Sequence, residues 1–361
     1  MIILDGSHLE GGGALVRTAL ALSTLTGKEF QVTNIRAGRP NPGLKAQHLT
    51  AINLLKKMSN AETNEISLGT TELHFKPGKI KRGIYECDIG TAGSISLLLQ
   101  AVTLPCLFAS GKITIKVKGG TCGKWQASVS YLQNVLLPQL RRFVEKIELK
   151  IIKQGYFPIG GGEVHLEITP RFETNSSLLD ELPFKVAAIN LTKQGEIEQV
   201  RGVINLSREL EEKMVAMRIE SSAKNILSPH GVPINIRTEY VTSQSVGGEI
   251  LLWAIFSQNN VVDFDNPVIL AGDALIEKNK KSEDVGKEAA ENLQKEIGSK
   301  AAVDHYLADQ LIPYMALLPG SSILPSEISQ HTKTNIYVTE LFLPVGYTIT
   351  ERTILVEKNE P

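Results

Sequence analysis

Cysteine is scarce in this sequence, and its few copies are scattered. Cys87, Cys106 and Cys122 are the only three cysteines, and no two of them form a C-x-x-C pair. That spacing is typical of zinc sites, and several regularly spaced cysteines are typical of disulfide-stapled domains. We therefore expect neither a zinc site nor a disulfide scaffold, and an intermolecular disulfide is the alternative that stays open.

A large net charge of either sign is also missing. The chain has 38 lysines and arginines against 39 aspartates and glutamates, a formal charge of -1 at pH 7. Proteins that hold a long stretch of nucleic acid need a broad cationic surface. We therefore expect any contact with nucleic acid to be local.

Long hydrophobic runs are absent as well. No run approaches the roughly 18 residues that span a bilayer, and residues 1–5 lack the basic region and cleavage site of a secretory signal. We therefore expect a cytoplasmic protein with no membrane partner. With 42% hydrophobic and 21% charged residues, the 361-residue chain is globular in composition, with room for one large domain and a smaller one. It also allows an oligomer.

A strand, a glycine-rich loop and a helix open the chain. The pattern predicts a strand at 1–4 and a helix at 14–26, joined by a loop with three consecutive glycines. Such glycines allow the backbone to approach an anion closely. Arg17 projects from the first helical turn, and Glu10 is a candidate metal ligand. The alternative is a tight turn without a ligand.

Two arginines follow in a second loop, which glycine and proline make rigid. Arg36 and Arg39 stand three residues apart there, a pattern that suits bidentate recognition of phosphate. Solvated arginines are the alternative. Gln47 and His48 lie in the first turn of the next predicted helix, and we interpret His48 as a structural residue.

Two further helices carry candidate ligand-binding side chains. Gln100 lies in an apolar helix, where an unpaired buried amide would cost about 1 to 3 kcal/mol. It either reads an adenine edge or bridges two loops. Tyr306, Asp309 and Gln310 lie one helical turn apart, so they can present a ring, a carboxylate and an amide to one ligand. A surface pair between His305 and Asp309 is the alternative for that helix.

His331 stands where a polar loop turns into a predicted helix. Capping residues at 326–329 precede it, and apolar residues at helical spacing follow it as far as Pro344. The unpaired N–H groups at a helix start attract anions and disfavour an imidazolium. This setting favours a neutral, nucleophilic imidazole beside a phosphate. The alternative is a histidine that only caps the helix or is satisfied by local hydrogen bonds.

The order of elements divides the chain into two domains. Two or three strand–helix units resemble the first, each with a glycine-rich loop, which indicates an internal repeat. The sequence turns polar at 170–183, and the next hundred residues indicate a separate α+β module that opens with a strand at 185–193. We predict a large repeat-built domain at 1–182 and 282–361, and an inserted small domain at 183–281.

Ten short motifs follow one another along the whole chain. In order they are Asp5-Gly6, Glu10-Gly11-Gly12-Gly13, Arg17, Ile35-Arg36-Ala37-Gly38-Arg39, Pro42-Gly43-Leu44, Gln47-His48, Gly93-Ser94, Gln100, Tyr306-Leu307-Ala308-Asp309-Gln310 and His331-Thr332-Lys333-Thr334. Together they resemble the RNA 3'-terminal phosphate cyclase family, in the order in which that family has them. The joint match is far more specific than any single motif.

The resemblance implies both a fold and a reaction. The implied α+β fold has a large domain of three repeated βαβαββ units, similar to the C-terminal domain of translation initiation factor three, with a smaller inserted α+β domain. The implied enzyme is a ligase that uses ATP and a divalent metal, Mg or Mn, to convert an RNA 3'-phosphate to a 2',3'-cyclic phosphodiester. The implied route runs through a covalent histidine–AMP and an adenylylated RNA end. RNA is implied because DNA lacks the 2'-hydroxyl that closes the ring.

The same resemblance implies roles for individual residues. His331 matches the nucleophile that attacks the α-phosphorus of ATP, and Glu10 matches the acidic residue at the metal. The positions that bind the nucleotide are Gln100, Tyr306, Leu307, Ala308, Asp309 and Gln310. The positions near the phosphates and the RNA end are Arg17, Arg36, Arg39 and Gln47.

One stretch departs from the family pattern. After Gly119-Gly120-Thr121 the family usually has an aspartate and then a proline pair followed by an acidic residue, whereas this chain has Cys122-Gly123-Lys124-Trp125-Gln126-Ala127-Ser128-Val129-Ser130. Trp125 either replaces stacking area in that wall of the nucleotide pocket or has an ordinary packing role.

Two other functions remain as alternatives. One is a non-catalytic cyclase-like factor in RNA processing or ribosome assembly, which would keep the fold but lack the nucleophilic histidine. The other is an enolpyruvyl-transferase-type enzyme, which would also need phosphate-binding arginines but has no use for a covalent histidine.

Overall fold

Two helices and four strands form the N-terminal unit of the protein. The structure, a computed structural model, describes residues 1–174 and 177–359; residues 175, 176, 360 and 361, which the prediction places in the large domain, lie outside the described residues. The elements of this unit are β1 (Ile2–Asp5), α1 (Ala14–Thr26), β2 (Phe30–Thr33), α2 (Ala46–Ser59), β3 (Glu62–Thr63) and β4 (Leu73–Lys76). The sheet order is β1-β2-β4-β3, with β1 parallel to β2 and the other pairs antiparallel.

Local sequence explains where α1 ends. Its apolar residues are buried, and Gly27 ends it in the left-handed conformation with φ 72°, where the N–H of Gly27 donates to the carbonyl of Ser23 at 2.9 Å. A glycine adopts this conformation without the steric cost of a Cβ. The predicted helix at 14–26 is therefore confirmed.

A second unit repeats the same topology. Its elements are β5 (Gly83–Asp88), α3 (Ile95–Cys106), β6 (Ile113–Gly119), α4 (Val129–Tyr131), α5 (Leu137–Leu140), β7 (Val144–Lys153) and β8 (Gly162–Pro170). The order β5-β6-β8-β7 and the strand directions match those of the first unit. A π-helical turn at Leu132–Leu136 joins α4 to α5, so the second helix of this unit is not a regular α-helix throughout.

The chain then leaves the second unit through α6 (Leu178–Lys185) and β9 (Asn190–Leu191). The predicted strand at 185–193 is therefore wrong in extent, because its first residue ends a helix and only two residues pair as a strand. The partner of β9 lies more than a hundred residues further along the chain.

A separate sheet with two helices is inserted after β9. Its elements are β10 (Glu196–Ser207), α7 (Val215–Leu227), β11 (Ile234–Val241), β12 (Gly248–Ser257), β13 (Ile269–Leu275) and α8 (Ser282–Gly298), and the sheet order is β11-β10-β12-β13. Helix α8, which the prediction assigned to the large domain, packs so closely on α7 that a Cβ on Gly286 would lie 2.1 Å from the carbonyl oxygen of Ile219. The division of the chain at residues 183 and 281 stays a prediction.

The last elements complete a third repeat. They are α9 (His305–Met315), β14 (Ser322–Ile323), α10 (Gln330–Phe342), β15 (Val345–Thr350) and β16 (Thr353–Lys358). The sheet order β9-β14-β16-β15 again starts with a parallel pair and continues with two antiparallel pairs. The α+β fold class with three βαβαββ units is therefore confirmed, and the insertion lies between the first strand and the first helix of the third unit.

Helices from different units pack against one another and bring their polar side chains together. Helix α1 packs on α3 and α10, and α10 packs on α9. The Thr18 hydroxyl donates to Oδ1 of Asn335 at 2.7 Å, and Nδ2 of Asn335 donates to the carbonyl of Asp309 at 2.8 Å. These bonds tie α1, α10 and α9 together. None of the helices in the described part of the chain is both long and apolar enough to cross a membrane.

Candidate active site

One cleft brings together most of the predicted site residues from all three repeats. Its cavity volume is about 390 Å³, within the range of small-molecule binding clefts. The predicted residues that line it are Arg17, Arg36, Arg39, Gln47, Gln100, Tyr306, Asp309, Gln310 and His331. Glu10 contacts two of these residues, whereas Leu307 and Ala308 are fully buried in the core.

His331 is the second residue of α10, where the sequence predicts a helix start. The cap itself is Ser329, whose hydroxyl accepts from the N–H of Thr332 at 3.0 Å. The alternative that His331 only caps the helix is therefore wrong. Its side chain is 37% exposed, so a ligand in the cleft can reach it.

A carboxylate links His331 to the arginine loop. Nδ1 of His331 lies 3.0 Å from Oε1 of Glu10, and Nη2 of Arg39 lies 3.0 Å from Oε2 of the same carboxylate. The contact with His331 is close but poorly aligned, and neither Oε1 nor Nδ1 has a hydrogen-bond partner within residues 1–174 and 177–359. Burial by itself would raise the pKa of Glu10, but His331, Arg39 and Arg17 together lower it below its usual value. Glu10 is therefore an anion at neutral pH.

Glycines allow the two loops of the first unit to meet. Gly11 has φ +56°, and a Cβ there would lie 2.7 Å from the backbone nitrogen of Gly38. A Cβ on Gly13 would lie 2.6 Å from Nε2 of His48. The glycine-rich loop thus packs directly on the arginine loop, which places Glu10 beside Arg39, and leaves room for the imidazole of His48.

His48 lines the cleft, a position that the sequence analysis missed. Its Nδ1 accepts from the backbone N–H of Lys45 at 3.1 Å, which in the neutral ring puts the proton on Nε2. Burial, and then the charges of Arg17, Arg36 and Lys45, lower the pKa of His48 to about 3, so the ring is neutral. Nε2 is buried without a hydrogen-bond partner among the described residues. The one available signal was the position of His48 directly after Gln47, close to the arginine loop.

The arginines differ in how much of each guanidinium is already engaged. Arg36 donates from Nη1 to the carbonyls of Asn41 at 2.7 Å and Gly43 at 3.3 Å, so it also stabilises its own loop. Burial lowers the pKa of Arg17 to about 10, although Asp309 and Glu10 oppose the shift, and Arg17 stays charged at neutral pH. Its Nε is buried and finds no partner in the described ranges.

Helix α9 presents further unpaired polar atoms. In the part of the chain that the structure describes, Oδ1 of Asp309 and Oε1 of Gln310 are buried without a hydrogen bond. Burial raises the pKa of Asp309 to about 6, against the opposing effects of His331 and Arg17. His305 pairs with Glu296 at 2.7 Å, so the alternative of a surface pair between His305 and Asp309 is wrong.

The divergent stretch forms another part of the cleft wall. It contributes Lys124, Trp125, Gln126 and Ala127 to the lining. Trp125 is 92% exposed, which rules out an ordinary packing role for its side chain.

Together these residues form a site for an anion that carries a polar group. Three arginines line it together with His48 and His331, and in the described part of the chain an amide oxygen and a carboxylate oxygen on α9 make no hydrogen bond. Within the described ranges, no group of three or more His, Cys, Asp or Glu side chains is arranged to hold a metal ion. Oε1 of Glu10 is a single buried carboxylate oxygen that a ligand can engage.

Comparison with known proteins agrees with these features. The sequence model of the family described as RNA 3'-terminal phosphate cyclase matches residues 8–349. A curated RNA 3'-terminal phosphate cyclase from Archaeoglobus fulgidus is 41% identical, with 95% of this chain and 96% of the relative covered. Proteins of the same name from Pyrococcus furiosus and Methanopyrus kandleri are 39% and 37% identical, covering 95% and 97% of this chain and 93% and 95% of the relatives.

Proposed function

The chain belongs to the RNA 3'-terminal phosphate cyclase family, and we propose that it uses ATP to convert an RNA 3'-terminal phosphate to a 2',3'-cyclic phosphodiester through a covalent histidine–AMP. The observation that carries this proposal is the position of His331, in contact with the anionic Glu10 and in a cleft lined by three arginines. A nucleophile, a neighbouring carboxylate and cations for phosphate are the groups that nucleotidyl transfer needs.

We assign the attack on ATP to Nε2 of His331. Nδ1 lies 3.0 Å from the anionic carboxylate of Glu10, and this charge favours the neutral tautomer with the proton on Nδ1 and the lone pair on Nε2. A bond forms between Nε2 and the α-phosphorus, and the bond from that phosphorus to the bridging oxygen breaks. Pyrophosphate leaves with the electron pair, and Arg17 and Arg39 stabilise its charge.

Two further displacements complete the reaction. An oxygen of the RNA 3'-phosphate attacks the phosphorus of the bound AMP, and the N–P bond breaks to restore His331. The adjacent 2'-hydroxyl then attacks the RNA 3'-phosphorus, the bond to AMP breaks, and the hydroxyl proton passes to water. We place the RNA end at Arg36, Arg39 and Gln47, because a compact set of cations suits one terminal phosphate better than a long backbone.

Glu10 fits the role of protein ligand to a divalent metal. Its Oε1 is buried without a hydrogen bond to any described residue, and its lowered pKa keeps it anionic. Magnesium is commonly held by one or two carboxylates together with substrate phosphates, so a full set of protein ligands is not required. When bound, such a metal would neutralise charge on the departing pyrophosphate.

The nucleoside of ATP is assigned to α3 and α9. Gln100, Tyr306, Asp309 and Gln310 line that part of the cleft, and two of them have unpaired buried oxygens in the described structure. Leu307 and Ala308 are buried, so we expect them to act by fixing α9 and not by contact of their side chains.

Intact-mass measurement after incubation with ATP and magnesium tests the proposal. The protein should gain one AMP, through a bond that is stable to alkali and hydroxylamine and labile to acid, as a phosphoramidate is. His331→Asn, which keeps a polar side chain of similar shape, should form no adduct. An adduct that persists in His331→Asn would place the nucleophile elsewhere.

The same measurement separates the alternatives. A protein that forms no adduct but binds RNA would fit a non-catalytic RNA-processing factor. Cyclisation assays with a 3'-phosphorylated oligonucleotide complete the test, because an enolpyruvyl-transferase-type enzyme would give neither adduct nor cyclic end.

A further inference from the structure

An exposed tryptophan stands on the cleft wall where the chain departs from the family pattern. Trp125 lines the cleft with 92% of its surface exposed. An indole in water leaves a large apolar surface unburied, which is unfavourable by itself. Folding gains little from this side chain, and its place in the cleft wall leaves the indole available to a bound ligand.

The backbone holds Trp125 in an unusual conformation. Its φ is 60°, a left-handed value that an aromatic residue adopts rarely and at a cost in free energy. Neighbouring contacts fix the segment: Nζ of Lys124 lies 2.7 Å from Oε2 of Glu277, and the Ser96 hydroxyl donates to the carbonyl of Ala127 at 2.6 Å. The indole therefore extends from an anchored loop.

Aromatic rings and arginines line the same cleft as this loop. The loop runs directly into α4, where the ring of Tyr131 packs edge-on to that of Tyr306 with centroids 5.5 Å apart. The rings of Tyr306 and His305 also meet, at 4.0 Å. One turn further along α9, Asp309 faces the charge of Arg17. The cleft thus offers aromatic rings and arginines to one ligand.

We infer that Trp125 stacks on the base of the bound nucleotide while the nucleotide's phosphates lie against Arg17 and Arg39. This inference rests on the proposed use of ATP. Stacking engages the face of a base and not its edge, so it tolerates different bases and is stronger for the larger purines. Trp125 should therefore strengthen the binding of ATP and GTP more than that of CTP.

Tryptophan fluorescence can report this contact directly. The chain has two tryptophans, and Trp253 is buried, with 6% of its surface exposed. In a protein that carries Trp253→Phe and His331→Asn, Trp125 is the sole indole and no covalent transfer occurs. Titration with ATP should quench the emission, whereas titration with inorganic tripolyphosphate, which has the phosphates but no base, should leave it unchanged.

Calorimetric affinities provide the second measurement. Trp125→Ala should weaken ATP binding about tenfold, and Trp125→Phe should retain most of the affinity. Tripolyphosphate binding should be the same in all three proteins. Phe184→Ala is the matched control, because Phe184 is 91% exposed and is not among the residues that line the cleft.

The outcomes distinguish this inference from the proposed function. Unchanged ATP affinity in Trp125→Ala, equal quenching by tripolyphosphate, or quenching by a 3'-phosphorylated RNA alone would overturn the stacking assignment. The proposed function would survive if the wild-type protein still formed its AMP adduct. Absence of any ATP binding to the wild-type protein would overturn both.

Discussion

The reacting side of the cleft and the divergent side hold their side chains in different ways. On the reacting side, Glu10 touches both His331 and Arg39, and each group is positioned by a charged neighbour. On the divergent side, Trp125 extends into solvent from a loop that is anchored by its backbone and by Lys124. The reacting side is preorganised before a ligand arrives, which lowers the cost of stabilising charge in a transition state. The divergent side offers the exposed surface of Trp125 to a ligand, and its sequence can change more freely.

The pKa values of Glu10 and Glu249 show the same difference between the two sides of the cleft. Glu10 is surrounded by His331, Arg39 and Arg17, which together lower its pKa. Glu249 lies behind the divergent stretch and accepts from the Ser130 hydroxyl at 2.8 Å. Burial raises the pKa of Glu249 to about 7 in spite of that hydrogen bond. A buried carboxylate is therefore charged at neutral pH where cations face it and partly protonated where only hydroxyls and amides do.

The largest effect should come from His331→Ala on the reacting side. We expect no AMP adduct and no cyclisation, because the N–P bond has no other nucleophile in the proposed reaction. The melting temperature should stay close to that of the wild-type protein, since Ser329 and not His331 caps α10.

Ser329→Ala is the matched control for that variant. It should lower stability by about 0.5 to 2 kcal/mol and still form the adduct. Loss of the adduct in Ser329→Ala, or its survival in His331→Ala, would contradict the separation of cap from nucleophile.

Glu10→Gln should have the next largest effect. It keeps the shape of the side chain and removes the charge that faces His331 and Arg39, so we expect adduct formation to slow by about 100-fold or more. Single-turnover kinetics at increasing magnesium concentrations would measure the change. A wild-type rate at every magnesium concentration would show that the charge of Glu10 is dispensable.

Arg36→Ala should affect the two half-reactions unequally. Loss of a charged hydrogen-bonding group costs about 1.5 to 3 kcal/mol, so transfer of AMP to RNA should fall by about 10-fold or more, with a smaller effect on self-adenylylation. Separate assays of adduct formation and of cyclisation by preformed adduct would measure both. Arg171→Ala, outside the cleft, is the control, and equal losses in both half-reactions would refute the assignment of Arg36 to the RNA end.

The smallest effect on activity should come from Glu249→Gln on the divergent side. In the folded protein the pKa of Glu249 is about 7, whereas an unperturbed glutamate has a pKa of 4.5, so ionisation makes wild-type stability fall as pH rises through that window. The variant avoids this loss. It should match the wild type below pH 4.5 and be more stable by about 3 kcal/mol above pH 7.

Urea unfolding at a series of pH values would measure this difference. Glu148→Gln is a suitable control, because Glu148 lies on the surface between two lysines. A constant difference between wild type and Glu249→Gln across the pH range would show that Glu249 is not the titrating group.

Elements and motifs with local signals were predicted well from the sequence. The helix at Ala14–Thr26 ends at Gly27, and α10 begins at the Ser329 cap, and each signal lies within a few residues of the boundary it sets. The predicted strand at 185–193 failed because only tertiary pairing with β14 makes residues 190 and 191 a strand. A two-residue strand has no periodicity of its own to recognise.

The residue types available to the site, and their order along the chain, can be read from the amino-acid sequence alone. Tertiary packing is what brings Glu10 to His331, ties the divergent loop to Glu277 through Lys124, and places His48 in the cleft with an unpaired donor in the described structure. Capping and amphipathic periodicity act over one or two turns, so they can be predicted from neighbouring residues. Burial, desolvation and ion pairing depend on side chains that are hundreds of residues apart, and these side chains meet only when the three repeats pack together.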